Sequence, residues 1–164
     1  MTSSRRTAAT TSTADLKTIE VRRSGIHGQG VFALRDLRAG QLIGHYTGRR
    51  FAPDEFHPGW NDRLTYLFGL SDGCVIDGAQ GGNATRFINR ACEPNVEAIE
   101  RRASNGELSV VIRTKLAITA GAELFLDYAL VIDGDDPADY PCECGKGSCR
   151  GTMAAPVAMQ AAAD

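Results

Sequence analysis

The ten residues Arg86-Phe87-Ile88-Asn89-Arg90-Ala91-Cys92-Glu93-Pro94-Asn95 constrain this chain more than any other stretch. They set residues of buried type (Phe87, Ile88, Cys92) against Arg86, Asn89 and a proline turn, straight after Gly81-Gly82-Asn83. A buried amide or guanidinium must find partners, because each polar group left unsatisfied costs about 1–3 kcal/mol. A plain surface loop has no use for such a mixture. The segment is either a tightly bonded crossing of chain segments or a ligand site.

Its surroundings read as strands. From Thr18 onward, short β-like runs at 19–21, 31–34 and 41–46 are punctuated by Gly25, Gly28, Gly30, Gly40 and Gly48. Such runs resume at 65–70, 74–77, 96–100, 107–113 and 123–128, and Asn105-Gly106 between two of them signals a hairpin. Pro53, Pro58 and Gly59 leave room for one helical turn at most within 52–63. Asp133-Gly134-Asp135-Asp136-Pro137 reads as a solvated acidic break. Residues 1–17 form a polar tail, and the Ala-rich, uncapped residues from about Met153 read as a loose tail or short helix. The expectation is a mostly-β domain of many short strands, few helices and no repeat. Irregular strand lengths and glycine-dense loops fit an all-β sandwich poorly.

With 164 residues, 43% hydrophobic and 23% charged, the chain can build one domain with a real core. No apolar run approaches the roughly 20 residues that span a bilayer, so no membrane partner is expected. Residues 1–13 carry Arg5 and Arg6 but no apolar stretch, which argues against a secretory signal, and a small chain without a nuclear-type basic run is expected to be cytoplasmic. A net charge of −2 and a pI near 5.9 disfavour direct nucleic-acid binding and suit a basic partner. Five cysteines without an export signal read as thiols or metal ligands rather than a disulfide frame.

Three of those cysteines, Cys142, Cys144 and Cys149, fall in a C-x-C-x4-C pattern with Gly145 and Gly147 giving the backbone room to wrap. Zinc favours four tetrahedral ligands, and thiolates supply a closed structural site. The fourth must come from a distance. Cys74 begins an apolar Cys-Val-Ile-Asp run and reads as core filler, whereas Cys92 in its Pro-flanked turn is the better ligand. Lys146 and Arg150 are expected to offset the cluster's negative charge.

Four blocks in order then resemble the SET-domain protein lysine methyltransferases that carry a post-SET zinc module. They are Ser24-Gly25-Ile26-His27-Gly28-Gln29-Gly30-Val31-Phe32, Gly44-His45-Tyr46-Thr47-Gly48, the run from Val75 through Asn89 to Asn95, and Gly121-Ala122-Glu123-Leu124-Phe125-Leu126-Asp127-Tyr128. With the cysteine module they cover about 18–151. The resemblance implies several small twisted sheets in which a C-terminal segment threads under a loop, a pseudoknot of a kind rare among folds. It divides the chain into a tail (1–17), a SET domain (18–135), a zinc-bound post-SET module (136–152) and a C-terminal tail (153–164). S-adenosylmethionine as methyl donor and a protein lysine as acceptor are implied to meet in a narrow channel from opposite faces. Structural zinc on Cys92, Cys142, Cys144 and Cys149 is implied as well.

The same resemblance implies roles. His27, Gly28, Gln29 and Gly30 approach the donor through backbone, Asn89 through its amide, Arg90 at an adenine-contacting backbone position, and Tyr66 as a further donor contact. Tyr128 is the implied catalytic residue and Tyr46 a second channel tyrosine. Asp127 and Glu123 read as structural partners, and Asp77 as bonded to backbone or Arg86. Many family members have His-Ser where this chain has Arg90-Ala91, so the Arg90 guanidinium is expected to stack on adenine or meet a carboxylate. Leu126 replaces a common Phe or Tyr and points to more than one methyl being added. The partner implied is a basic, possibly histone-like protein or peptide with an accessible lysine. The competing reading is a SET-fold interaction module with weakened catalysis; a zinc-dependent nucleic-acid binder is disfavoured by charge.

Overall fold

The computed structural model describes residues 17–55, 66–132 and 134–156. Strands β1 (Ile19–Arg23) and β2 (Gln29–Ala33) form an antiparallel ribbon in register from Ile19↔Ala33 to Arg23↔Gln29. The Ser24 N–H donates to the Gly28 carbonyl at 2.9 Å to close their connection, and Gly28 has φ +48°, a left-handed conformation that disfavours any side chain. Val31 is fully buried in the core, and the Leu124 N–H donates to its carbonyl at 2.8 Å.

A three-stranded sheet holds β3 (Leu42–Tyr46), β8 (Val96–Arg102) and β9 (Leu108–Thr114), with β9 in the middle. Along β9, Leu108, Val110, Ile112 and Thr114 are buried while the intervening residues are half-buried, the period of two that a strand imposes. The Asn105-Gly106 signal is realised as the β8–β9 hairpin, closed by Gly106 N–H to Ala103 carbonyl at 2.9 Å. A second three-stranded sheet joins β4 (Arg49–Phe51), β5 (Leu67–Gly69) and β6 (Val75–Asp77), with β6 central.

The opening stretch becomes a chain crossing. After a 3-10 turn at Ala84–Phe87, capped by Asn83 accepting from the Thr85 N–H, β7 (Asn89–Arg90) pairs in parallel with β10 (Phe125–Leu126). Parallel strands need a long crossover connection, and here the β8–β9 hairpin lies between them. Asn95 staples the crossing: its amide donates to the Glu123 carbonyl at 2.8 Å, and its Oδ1 accepts from the Phe125 N–H at 2.7 Å. The core includes Leu37, Ile43, Ile88, Val96, Val110, Ile112 and Leu124.

Two readings need correction. Strands β4 and β7 carry no alternating pattern long enough to be seen in the sequence. The loose tail expected from Met153 is anchored instead: Leu130 donates to the Met153 carbonyl at 3.0 Å and Ala155 to the Leu130 carbonyl at 2.8 Å, with Ala154 and Ala155 buried. Their partner is Leu130, more than twenty residues away, which an alanine run read in isolation does not reveal. The rest of that tail, the N-terminal tail up to residue 16 and most of the 52–63 segment lie outside the described residues.

Candidate functional site

Glu123 organises one wall. Its carboxylate accepts from the Ser24 hydroxyl at 3.1 Å and from the Asn89 amide at 2.9 Å, while that same amide donates to the carbonyls of Gln29 (3.0 Å) and His27 (3.3 Å). The nitrogen of Asn89 is thus committed to shaping the loop, and its Oδ1 is the end left to accept from a ligand. Gly30 stands behind this wall, where any Cβ would collide with the Glu123 carboxylate. Glu123 was expected to be a structural partner; its position under the whole 24–30 loop has no signature in a Gly-Ala-Glu-Leu run.

A cavity of about 540 Å³ opens in front of that wall, within the range of small-molecule sites. His27, Gly28, Gln29, Tyr66, Asn89 and Arg90 all line it, together with Tyr128, Phe87, Met153 and part of the cysteine module. Of the residues implied for a donor site, Gly30 does not line it. Met153 was not foreseen there, because its segment was read as tail.

A second, narrow cavity of about 60 Å³ is lined by Tyr46, Phe68, Ile88, Leu126 and Leu130 and shares Arg86 and Tyr128 with the first. The two cavities therefore adjoin at Tyr128. The Tyr128 hydroxyl donates to the Ile88 carbonyl at 2.9 Å, and burial, reinforced by Tyr66 and opposed by the Arg90 charge, pushes its phenol up to about 12. The Tyr46 hydroxyl donates to the Tyr66 carbonyl at 2.6 Å and is raised further, mainly by burial. Both phenols keep their protons near neutrality. They can orient and donate, and they are poor bases.

The carboxylates are engaged elsewhere. Asp127 binds both terminal nitrogens of Arg150 at 2.8 Å; burial resists its ionisation, but Arg150 prevails and holds it below the usual carboxylate range. Asp77 accepts from the Ala79 N–H and the Gln80 amide, the backbone option of the two expected, whereas Arg86 donates to the Gly78 carbonyl and covers the Phe87 ring.

Cys92, Cys142, Cys144 and Cys149 converge, with all four sulfurs within 4.8 Å of one another. Cys92 lies 3.8 Å from Cys142 and 3.9 Å from Cys149. A tetrahedron with Zn–S distances of about 2.3 Å has edges of about 3.8 Å, so the donor set fits zinc in kind and in spacing. Cys74 packs against the core instead. Backbone N–H groups of Arg150 and Gly151 point at the Cys92 and Cys149 sulfurs. Of the charge offset expected from Lys146 and Arg150, the Arg150 part is present: Arg150 grips Asp127 and its charge acts on Cys92 and Cys142, whereas Lys146 lies over the Phe125 ring. Of the two options expected for the Arg90 guanidinium, it hydrogen-bonds no carboxylate: it donates to the Thr152 carbonyl and, at 3.5 Å, to the Cys92 sulfur, while Arg90 lines the cavity.

A family model described as "SET domain" matches residues 28–129. The chain is 35% identical over 140 residues to "Histone-lysine N-methyltransferase, H3 lysine-4 specific" of Mycosarcoma maydis, a match covering 82% of this chain and 10% of that protein. It is also 35% identical over 137 residues to "Histone-lysine N-methyltransferase 2B" of Homo sapiens, covering 80% of this chain and 5% of that protein. A solved structure of ctPRC2, the Polycomb Repressive Complex 2 of Chaetomium thermophilum, in an autoinhibited conformation bound to S-adenosylmethionine is 28% identical with a TM-score of 0.59, covering 68% of this chain and 15% of that one. The chain spans a tenth or less of the length of the two relatives named.

Proposed function

The chain belongs to the SET-domain family, and from that premise we propose that it transfers methyl groups from S-adenosylmethionine to lysine side chains of basic proteins. The observation that carries this reading is the junction of a ligand-sized cavity and a narrow one at Tyr128. The similarity to proteins named histone-lysine N-methyltransferases and to a structure bound to S-adenosylmethionine supports it.

The donor supplies a methyl group on a positive sulfonium. His27, Gly28 and Gln29 present backbone to the larger cavity, and Asn89 holds that backbone in place. Tyr128, fixed on the Ile88 carbonyl, marks where nitrogen and methyl meet, with its oxygen available for weak C–H···O contacts. Alignment in a tight channel is expected to provide most of the acceleration. The acceptor lysine must be neutral, and its ordinary pKa is about 10.4. Ile88, Leu126 and Leu130 make the channel apolar, and Arg86 beside it adds a like charge, both of which favour the free amine. No side chain here serves as a general base, since both phenols are raised and Asp127 is held by Arg150. Leu126 offers no hydroxyl to hold a water in the channel, which favours addition of more than one methyl. Cys92, Cys142, Cys144 and Cys149 would hold zinc, fixing the C-terminal module over the donor cavity.

Titration with S-adenosylmethionine, followed by transfer to a mixed pool of basic proteins, tests the reading. Binding and lysine methylation are expected. Absence of donor binding would overturn it, and binding without transfer would favour an interaction module with lost catalysis.

A further inference from the structure

Arg90 is the one basic side chain buried among the described residues, 7% exposed. Its hydrogen bonds go to the Thr152 carbonyl and the Cys92 sulfur, while Nε and Nη1 are sealed from solvent without a partner. A guanidinium does not shed its proton, so a full positive charge sits in the interior. A buried charge without an opposite charge is strongly destabilising. Asp127 feels the Arg90 charge, but both its oxygens are taken up bidentately by Arg150. What does lie against Arg90 is the sulfur of Cys92, one of the four clustered cysteines, with Cys142 within reach of its charge.

Four thiolates around a divalent zinc ion carry a net charge of about −2. Lys146 covers Phe125, and the Arg150 charge acts on Cys92 and Cys142 only from the surface, where its side chain grips Asp127. We propose that the Arg90 guanidinium is the internal counter-charge of the metal–thiolate cluster, and that it links occupancy of that cluster to the wall of the donor cavity. The link is physical. One end of the guanidinium is on a metal ligand, and the same nitrogen holds Thr152, whose neighbour Met153 lines the cavity. Emptying the cluster leaves the guanidinium uncompensated, and its release frees Thr152 and the Met153 wall. By linkage, donor bound in the cavity must strengthen metal binding by the factor through which metal strengthens donor binding.

This inference rests on zinc as the occupant of the four cysteines and, for its second half, on the donor reading of the cavity. Metal analysis of purified protein comes first, and a chain that takes up no metal sinks both the zinc reading and this one. Zinc affinity is then measured by chelator competition in the wild type, Arg90→Gln and Arg90→Lys. Gln keeps a donor for Thr152 and loses the charge; Lys keeps the charge. Expected are a loss of zinc affinity of about tenfold or more for Arg90→Gln and near wild-type affinity for Arg90→Lys. In the cobalt-substituted protein the sulfur-to-metal charge-transfer band should move to longer wavelength in Arg90→Gln alone, because sulfur without a neighbouring cation gives up electron density more easily. A role confined to packing or to the Thr152 hydrogen bond would leave that band in place. Equal zinc affinity and an unmoved band in Arg90→Gln overturn the counter-charge. S-adenosylmethionine affinity with and without metal tests the link: the metal-dependent gain should shrink in Arg90→Gln, and an undiminished gain overturns that half alone. Should Arg90→Gln not fold, the wild type decides, since a cadmium-substituted protein must show scalar coupling between cadmium and an Arg90 guanidinium proton, and its absence refutes the contact.

Discussion

The Tyr128 hydroxyl sits 2.9 Å from the backbone carbonyl of Ile88, a bond that joins the second residue after β10 to the residue before β7 and fixes the phenol where two cavities meet. In Tyr128→Phe the ring remains and the oxygen is lost. Methyl transfer should fall by about 100-fold or more, since misalignment at an in-line displacement is costly. Donor affinity should stay within a few-fold, and stability should fall by about 1 kcal/mol for the lost hydrogen bond. Turnover equal to wild type would remove Tyr128 from the mechanism.

Glu123 supports the donor loop from beneath, through Ser24 and Asn89. Glu123→Ala leaves a cavity and the Ser24 hydroxyl without its acceptor and removes one of the three partners of the Asn89 amide, and about tenfold weaker S-adenosylmethionine binding is expected, comparable to losing a charged hydrogen-bond partner. Isothermal titration measures it directly. Gly30→Ala should do similar damage by expelling the carboxylate, although Gly30 lines neither of the two cavities that meet at Tyr128.

The Asp127–Arg150 pair fastens the cysteine module to the end of β10. Because Asp127 is held below its ordinary range, its contribution is fully present above the unfolded value near 3.9 and is lost as pH falls through the lower folded value. Acid titration below about pH 4 should therefore loosen residues around Arg150, read by amide hydrogen exchange. Asp127→Asn should abolish that step while leaving neutral-pH folding in place.

Met153 to Ala155 act as a wall and not as a tail. A chain ending after Pro156 should bind donor like the full chain, whereas one ending after Thr152 should bind it several-fold more weakly, because Met153 lines the cavity and Ala154 and Ala155 are packed. Equal affinities for the two truncations would contradict this.

The sequence by itself determined what is local: strand runs with a period of two, the Asn105-Gly106 hairpin, the spacing of Cys142, Cys144 and Cys149, and Gly28 at a turn where its φ is positive. Each depends on neighbours within a few residues, and those leave a pattern. Even the crossing at Arg86–Asn95 was legible in outline, as a polar mixture that could not sit on a surface. Only the tertiary structure decided which groups meet there. The two-residue strands β7 and β10 carry no periodicity, and their pairing follows from the packing of segments far apart in the chain. Asn89 spends its nitrogen on the loop, Arg90 turns to a sulfur and a carbonyl, and Lys146 lies over Phe125. A long polar side chain reaches several possible partners, and burial selects among them by leaving every other choice more costly.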